Sequence, residues 1–129
     1  MRGRWTASLL CVALIAPAAG ATSAAAHSVP QRFTPAIGAT VQSAPGEVRI
    51  LFDGDVEPAF STIQVTDGAG RRVDRGETRV DERNRRLVRV KLGPLEPGVY
   101  QVTWQILAND GHRGEGTYTF PFTRTVGGR

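Results

Sequence analysis

Five short runs between Glu47 and Phe122 alternate apolar and polar side chains with a period of two, and turn signals separate them. That period sends alternate side chains to opposite faces of an extended chain, so each run reads as a strand with one face in a core. EVRILF (Glu47 to Phe52) alternates around Val48, Ile50 and Phe52, and STIQV (Ser61 to Val65) around Ile63 and Val65 before stopping at Asp67-Gly68. RLVRVKL (Arg86 to Leu92) sets Val88, Val90 and Leu92 against Arg89 and Lys91, so one of its faces is wet. VYQVTWQIL (Val99 to Leu107) gathers Tyr100, Val102, Trp104 and Ile106 on one side, and GTYTFPF (Gly116 to Phe122) gathers Tyr118, Phe120 and Phe122. Pro121 lacks an N–H, which predicts a sheet edge or a bulge for this last strand. No stretch sustains a 3.6-residue period, so the class is all-β, and strands at this spacing suit a two-sheet sandwich or a small Greek-key barrel. The charged stretch from Arg71 to Arg86, with Gly76 and Asn84, reads as a solvated hairpin and loop rather than a docking patch for an acidic partner.

The N-terminus carries a different signal. Arg2 and Arg4, the apolar run from Leu9 to Ala16 and the small residues from Pro17 to Ala26 have the order of a secretory signal peptide. The apolar run is well short of the ~18 residues that a membrane span needs. Ala24, Ala25 and Ala26 satisfy the small-x-small rule, so a cut after Ala26 makes His27 the first residue; Ala19-Gly20-Ala21 offers an alternative cut that leaves His27 inside the chain. The expected division is therefore a leader over 1–26, one β domain over 27–124 and a frayed tail over 125–129.

Loss of 1–26 removes Arg2 and Arg4 and so lowers the formal charge from +4 to +2, which weakens a nucleic-acid reading of the basic pI. It also removes Cys11 and Met1, the chain's one cysteine and one methionine. Cys11 lacks the small residue expected ahead of a lipidated cysteine. The mature domain must hold together through its core alone, without a disulfide, in an exported and oxidising location.

Catalytic motifs are scarce. There is no GxSxG, no phosphate-binding glycine loop and no thiol nucleophile, and the aromatic residues are better spent on a core than on stacking with bases. The two histidines remain. Asp110-Gly111-His112 places a carboxylate and an imidazole two apart, which in an extended segment sends both to one side where they can share a metal ion. The same residues, read as Asn109-Asp110-Gly111, are also a strong turn signal. His27 as a first residue brings an α-amine with a pKa near ~8 and a ring able to chelate the same ion; otherwise it belongs to an ordinary disordered terminus. Three nitrogens and the Asp110 oxygen form a tetragonal set that suits Cu(II), and without Met or Cys the mature domain lacks soft ligands for Cu(I).

These residues resemble the CopC family of periplasmic copper-binding proteins. The likeness runs through the histidine after the leader, TPAIGATVQSAPGEVRILF (Thr34 to Phe52), VTDGAGRRV (Val65 to Val73), LEPGVYQVTW (Leu95 to Trp104) and NDGHRGEGTYTF (Asn109 to Phe120). The resemblance implies a Greek-key barrel related to the immunoglobulin-like sandwich, and no enzymatic activity. It implies a Cu(II) site formed by the amine and ring of His27, the ring of His112 and the carboxylate of Asp110. It further implies a copper carrier or buffer in the periplasm (or secreted), monomeric, serving copper homeostasis or resistance, with a CopD-like inner-membrane protein as partner. Where some members place a glutamate after the corresponding strand, this chain has Gly54 between Asp53 and Asp55, whose part in the site stays open. Two alternatives stand beside this: a copper-dependent oxidase with a histidine brace, against which Asp110 argues, and a metal-free β-sandwich interaction module.

Overall fold

The computed structural model describes residues 28–125, together with Gly3, Val12, Ala13 and Ile15; the rest of the expected leader, His27 and the last four residues lie outside the described residues. Seven strands follow one another: β1 (Pro30–Thr34), β2 (Glu47–Phe52), β3 (Val56–Thr66), β4 (Asp74–Val80), β5 (Leu87–Leu92), β6 (Gly98–Ala108) and β7 (Arg113–Phe122). They form two antiparallel sheets, ordered β1-β2-β5-β4 and β3-β6-β7. This is the strand order of a constant-type immunoglobulin sandwich, with Greek-key connections. No helix among the described residues is long and apolar enough to cross a membrane.

The core is where the alternation placed it. Val48, Ile50 and Phe52 of β2 and Val88 and Val90 of β5 face Ile63, Val65, Val102, Trp104, Ile106 and Phe120 of the other sheet, all buried. Phe52 meets the Trp104 indole edge to face at 5.5 Å, and Tyr100 stacks on Phe120 at 5.5 Å, geometries that add to simple area burial. Near the start of β6 the Tyr100 hydroxyl donates to the carbonyl of Glu96, four residues upstream. That is the tyrosine corner of immunoglobulin-like sandwiches, and it pins the crossing from β5 to β6.

The seam between the sheets at β3 and β4 is closed by side chains. Val65 N–H donates to Asp74 Oδ2 at 2.8 Å and Ile63 N–H to Thr78 Oγ1 at 2.9 Å. β3 is an edge strand, so its outward N–H groups need partners, and β4 supplies them without pairing there as a strand. The Arg71–Arg86 stretch, read as a solvated hairpin and loop, thus forms a hairpin with β5 through β4, while Asp74 and Thr78 turn inward.

β7 is the opposite edge, as Pro121 predicted. Among the described residues one parallel bridge is made beyond it, by Val41, whose N–H donates to the Pro121 carbonyl at 2.9 Å. On the inner face of β7, opposite Ile106 and Trp104, stand Gly114 and Gly116. A Cβ on Gly116 would come within 2.5 to 2.8 Å of three atoms of the Trp104 indole, so only glycine lets that ring lie against the β7 backbone. Gly114, without a side chain, lines a crevice between β7 and the N-terminal strand.

Candidate metal centre

The β6–β7 connection carries the pair singled out in the sequence. Ala108 N–H donates to the His112 carbonyl at 2.7 Å and Gly111 N–H to the Ala108 carbonyl at 2.9 Å, with Gly111 at φ 91°. A left-handed φ is readily available to glycine alone, which explains the Gly between the two candidate ligands. Asp110 and His112 therefore come together through a tight turn and not, as the alternation argument had it, through an extended segment. One Asp110 oxygen accepts the His112 backbone N–H at 3.0 Å, and the other lies 2.9 Å from His112 Nδ1. Such a carboxylate fixes the orientation of the imidazole.

Among the described residues no three His, Cys, Asp or Glu side chains converge as a metal cage. Asp110 and His112 supply two groups. The third expected contributor, His27, lies outside the described residues, but its neighbour Ser28 is well fixed. Ser28 is 7% exposed and its Oγ donates to the Asp55 carbonyl at 3.2 Å. The same carbonyl accepts the Asn109 N–H at 3.0 Å. One oxygen of the β2–β3 turn thus ties the residue after His27 to the residue before Asp110. Val29 is held as well: its N–H donates to Asp53 Oδ1 at 2.6 Å, and its carbonyl accepts the Asp53 N–H at 2.9 Å. Ser28, Val29 and Pro30 line the crevice of about 320 Å³ that His112 and Trp104 also border.

The sequence leaves open whether Asp53 or Asp55 takes part. Asp53 uses its carboxylate on the Val29 N–H, and Asp55 uses its backbone carbonyl. A carbonyl has no sequence signature; the signal that was available is the Asp-Gly-Asp turn itself, which packs against Ser28.

The CopC domain family matches residues 31–123 of this chain. The chain belongs to the CopC family. The matched span includes Asp110 and His112. Members of the family bind copper and are copper-resistance proteins, not enzymes. The chain is 31% identical over 128 residues to the copper transport protein CutJ of Bacillus subtilis (strain 168), a likeness covering 98% of this chain and 23% of CutJ. It therefore spans about a quarter of that relative's length. Protein YobA of Escherichia coli (strain K12) is 29% identical over 118 residues, 91% of each chain. Among solved structures, CopC from Methylosinus trichosporium OB3b superposes with a TM-score of 0.73 at 29% identity, over 80% of this chain and all of that one. PcoC, a methionine-rich copper resistance protein from E. coli, has a TM-score of 0.66 at 22% identity over 76% of this CopC-family chain and 100% of its own, a likeness of fold.

Proposed function

We propose that the mature chain is a periplasmic Cu(II) carrier or buffer, monomeric, that binds one ion through the amine and ring of His27, the ring of His112 and the carboxylate of Asp110. The observation that carries this reading is the single Asp55 carbonyl shared by Ser28 Oγ and Asn109 N–H, which brings the chain next to His27 up against the turn that holds Asp110 and His112. The donor set is nitrogen and oxygen, and residues 27–129 contain neither Cys nor Met. Hard and borderline donors in a tetragonal arrangement favour Cu(II) over other first-row divalent ions, while Cu(I) asks for sulfur. Release of the leader over 1–26 creates the amine. A CopD-like inner-membrane protein is the partner to which such a carrier hands its cargo.

The test uses Trp104, the one tryptophan of residues 27–129, which lines the crevice beside His112. Cu(II) bound there quenches the indole. Titration of the protein starting at His27 is expected to saturate at one equivalent. His112→Ala removes an inner ligand and is expected to weaken binding by roughly a hundredfold, at or beyond the upper end of the loss seen when an outer partner is removed. Unchanged affinity in His112→Ala would remove His112 from the site.

A further inference from the structure

We propose that the Asp53-Gly54-Asp55 turn is a clamp that presents His27 to the copper ion, with Ser28 and Gly54 as its positioning residues; this rests on the copper-site reading above. The first residues of a domain are disordered unless something ties them down. Here they are tied at three points. Ser28 Oγ reaches the Asp55 carbonyl at 3.2 Å, and Val29 exchanges two hydrogen bonds with Asp53, at 2.6 Å to its carboxylate and 2.9 Å from its N–H. Ser28 and Ser61 are the two polar residues buried as whole residues among those described; Ser61 bonds to Glu57 and Leu107 within the second sheet. Burying a hydroxyl is costly unless its bond is made, so the Ser28 rotamer is fixed by its bond to Asp55.

Gly54 is shaped to this contact. A Cβ there would stand 3.0 Å from Ser28 Oγ, and 3.9 and 4.0 Å from Ser28 Cα and Cβ. A side chain at position 54 would therefore press on the serine oxygen and push it off its bond to Asp55 by a few tenths of an ångström. Because the Asp55 carbonyl also holds Asn109, the clamp sets the N-terminal strand and the Asp110–His112 turn against the same atom. Ordering the backbone of one terminal residue in advance improves a binding constant by roughly tenfold, because the ion no longer has to impose that order.

The experiment measures Cu(II) affinity by competition for the protein starting at His27 and for Ser28→Ala, Gly54→Ala and the double variant. Unfolding midpoints show that each is folded. Each single substitution is expected to weaken Cu(II) binding by roughly tenfold. The double variant is expected to be no weaker than the weaker single one, because the oxygen that the new Cβ would meet is gone. In proteins with one extra residue ahead of His27, where only the ring of His27 is left to bind, the same substitutions are expected to weaken binding distinctly less than in the protein that starts at His27. That control separates positioning of His27 from a general loosening of the domain. Parent-like affinity in the variants, while His112→Ala is weakened, overturns the clamp and leaves the copper site standing. Equal losses with and without the extra residue overturn it too. Intact binding in His112→Ala overturns the copper site and the clamp together.

Discussion

A protein that carries one extra residue ahead of His27 is expected to bind Cu(II) roughly a thousandfold more weakly than the protein that begins there, while unfolding at the same temperature. The added peptide bond turns a basic amine into an amide nitrogen, which gives up its proton far less readily. It thereby removes one ligand and also breaks the chelate that the amine makes with the ring of the same residue. What remains is His112, Asp110 and a singly attached imidazole. The fold is expected to stay as it is, because the bonds of Ser28 and Val29 to the Asp53–Asp55 turn do not involve the added residue. Competition against a chelator of known affinity reads the difference. An equal affinity in the extended protein would show that the amine is not a ligand.

Asp74→Ala is expected to cost about 2–3 kcal/mol of stability and to lower the melting temperature by roughly 10–20 °C. The Asp74 side chain is wholly buried. Its carboxylate accepts Val65 N–H from β3 at 2.8 Å and Gly76 N–H at 2.9 Å, and takes Arg72 in a bidentate pair at 2.7 and 3.2 Å. Truncation leaves the edge of β3 with an unmet N–H at the seam between the sheets. The same group makes stability depend on pH. Burial pushes the Asp74 carboxyl up, but the hydrogen bonds from Arg72, Val65 and Gly76 and the charge of Arg72 outweigh it and hold the pKa below the usual 3.8. A depressed folded-state value means that the stabilisation is fully present above the unfolded value and is lost as pH falls through the folded one. Asp67, bonded by the N–H groups of Arg71 and Ala69, and Asp81, bonded by those of Arg83 and Asn84, are held low as well and add to the loss in acid. Urea unfolding of the parent and of Asp74→Asn from pH 7 to pH 2 is expected to show a gap between them that closes below about pH 4. A gap that stays constant would assign the stabilisation to something other than the ionised carboxylate.

The strands differ in how plainly the sequence displays them, and burial explains why. β2, β5 and β6 bury every second side chain, and their bounds agree with the alternation to within a residue or so. β1 sends only Phe33 toward the core besides Pro30, so Gln31, Arg32 and Thr34 leave no pattern. β4 turns Asp74 and Thr78 inward as hydrogen-bond partners, which reads as polarity and not as a strand. β7 starts three residues earlier than Tyr118 and its neighbours suggest, because its first inward positions are Gly114 and Gly116, whose role is to make room for Trp104. β3 likewise begins at Val56, ahead of a register shift between Glu57 and Thr62 that interrupts the alternation. At the candidate site, Asp110 and His112 were legible because their chemistry is in their side chains. The tie between Ser28 and Asn109 was not, because it runs through the backbone carbonyl of Asp55, which any residue could supply.

The proposed copper site depends most on the leader ending at Ala26, so that its ligand set includes a new amine. Native mass spectrometry of the exported protein, recorded before and after one equivalent of Cu(II), reads both parts at once. The predicted result is a chain of residues 27–129 that gains a single copper ion. A chain that begins at any other residue and still gains its copper with undiminished affinity, or one that begins at His27 and gains none, would contradict it.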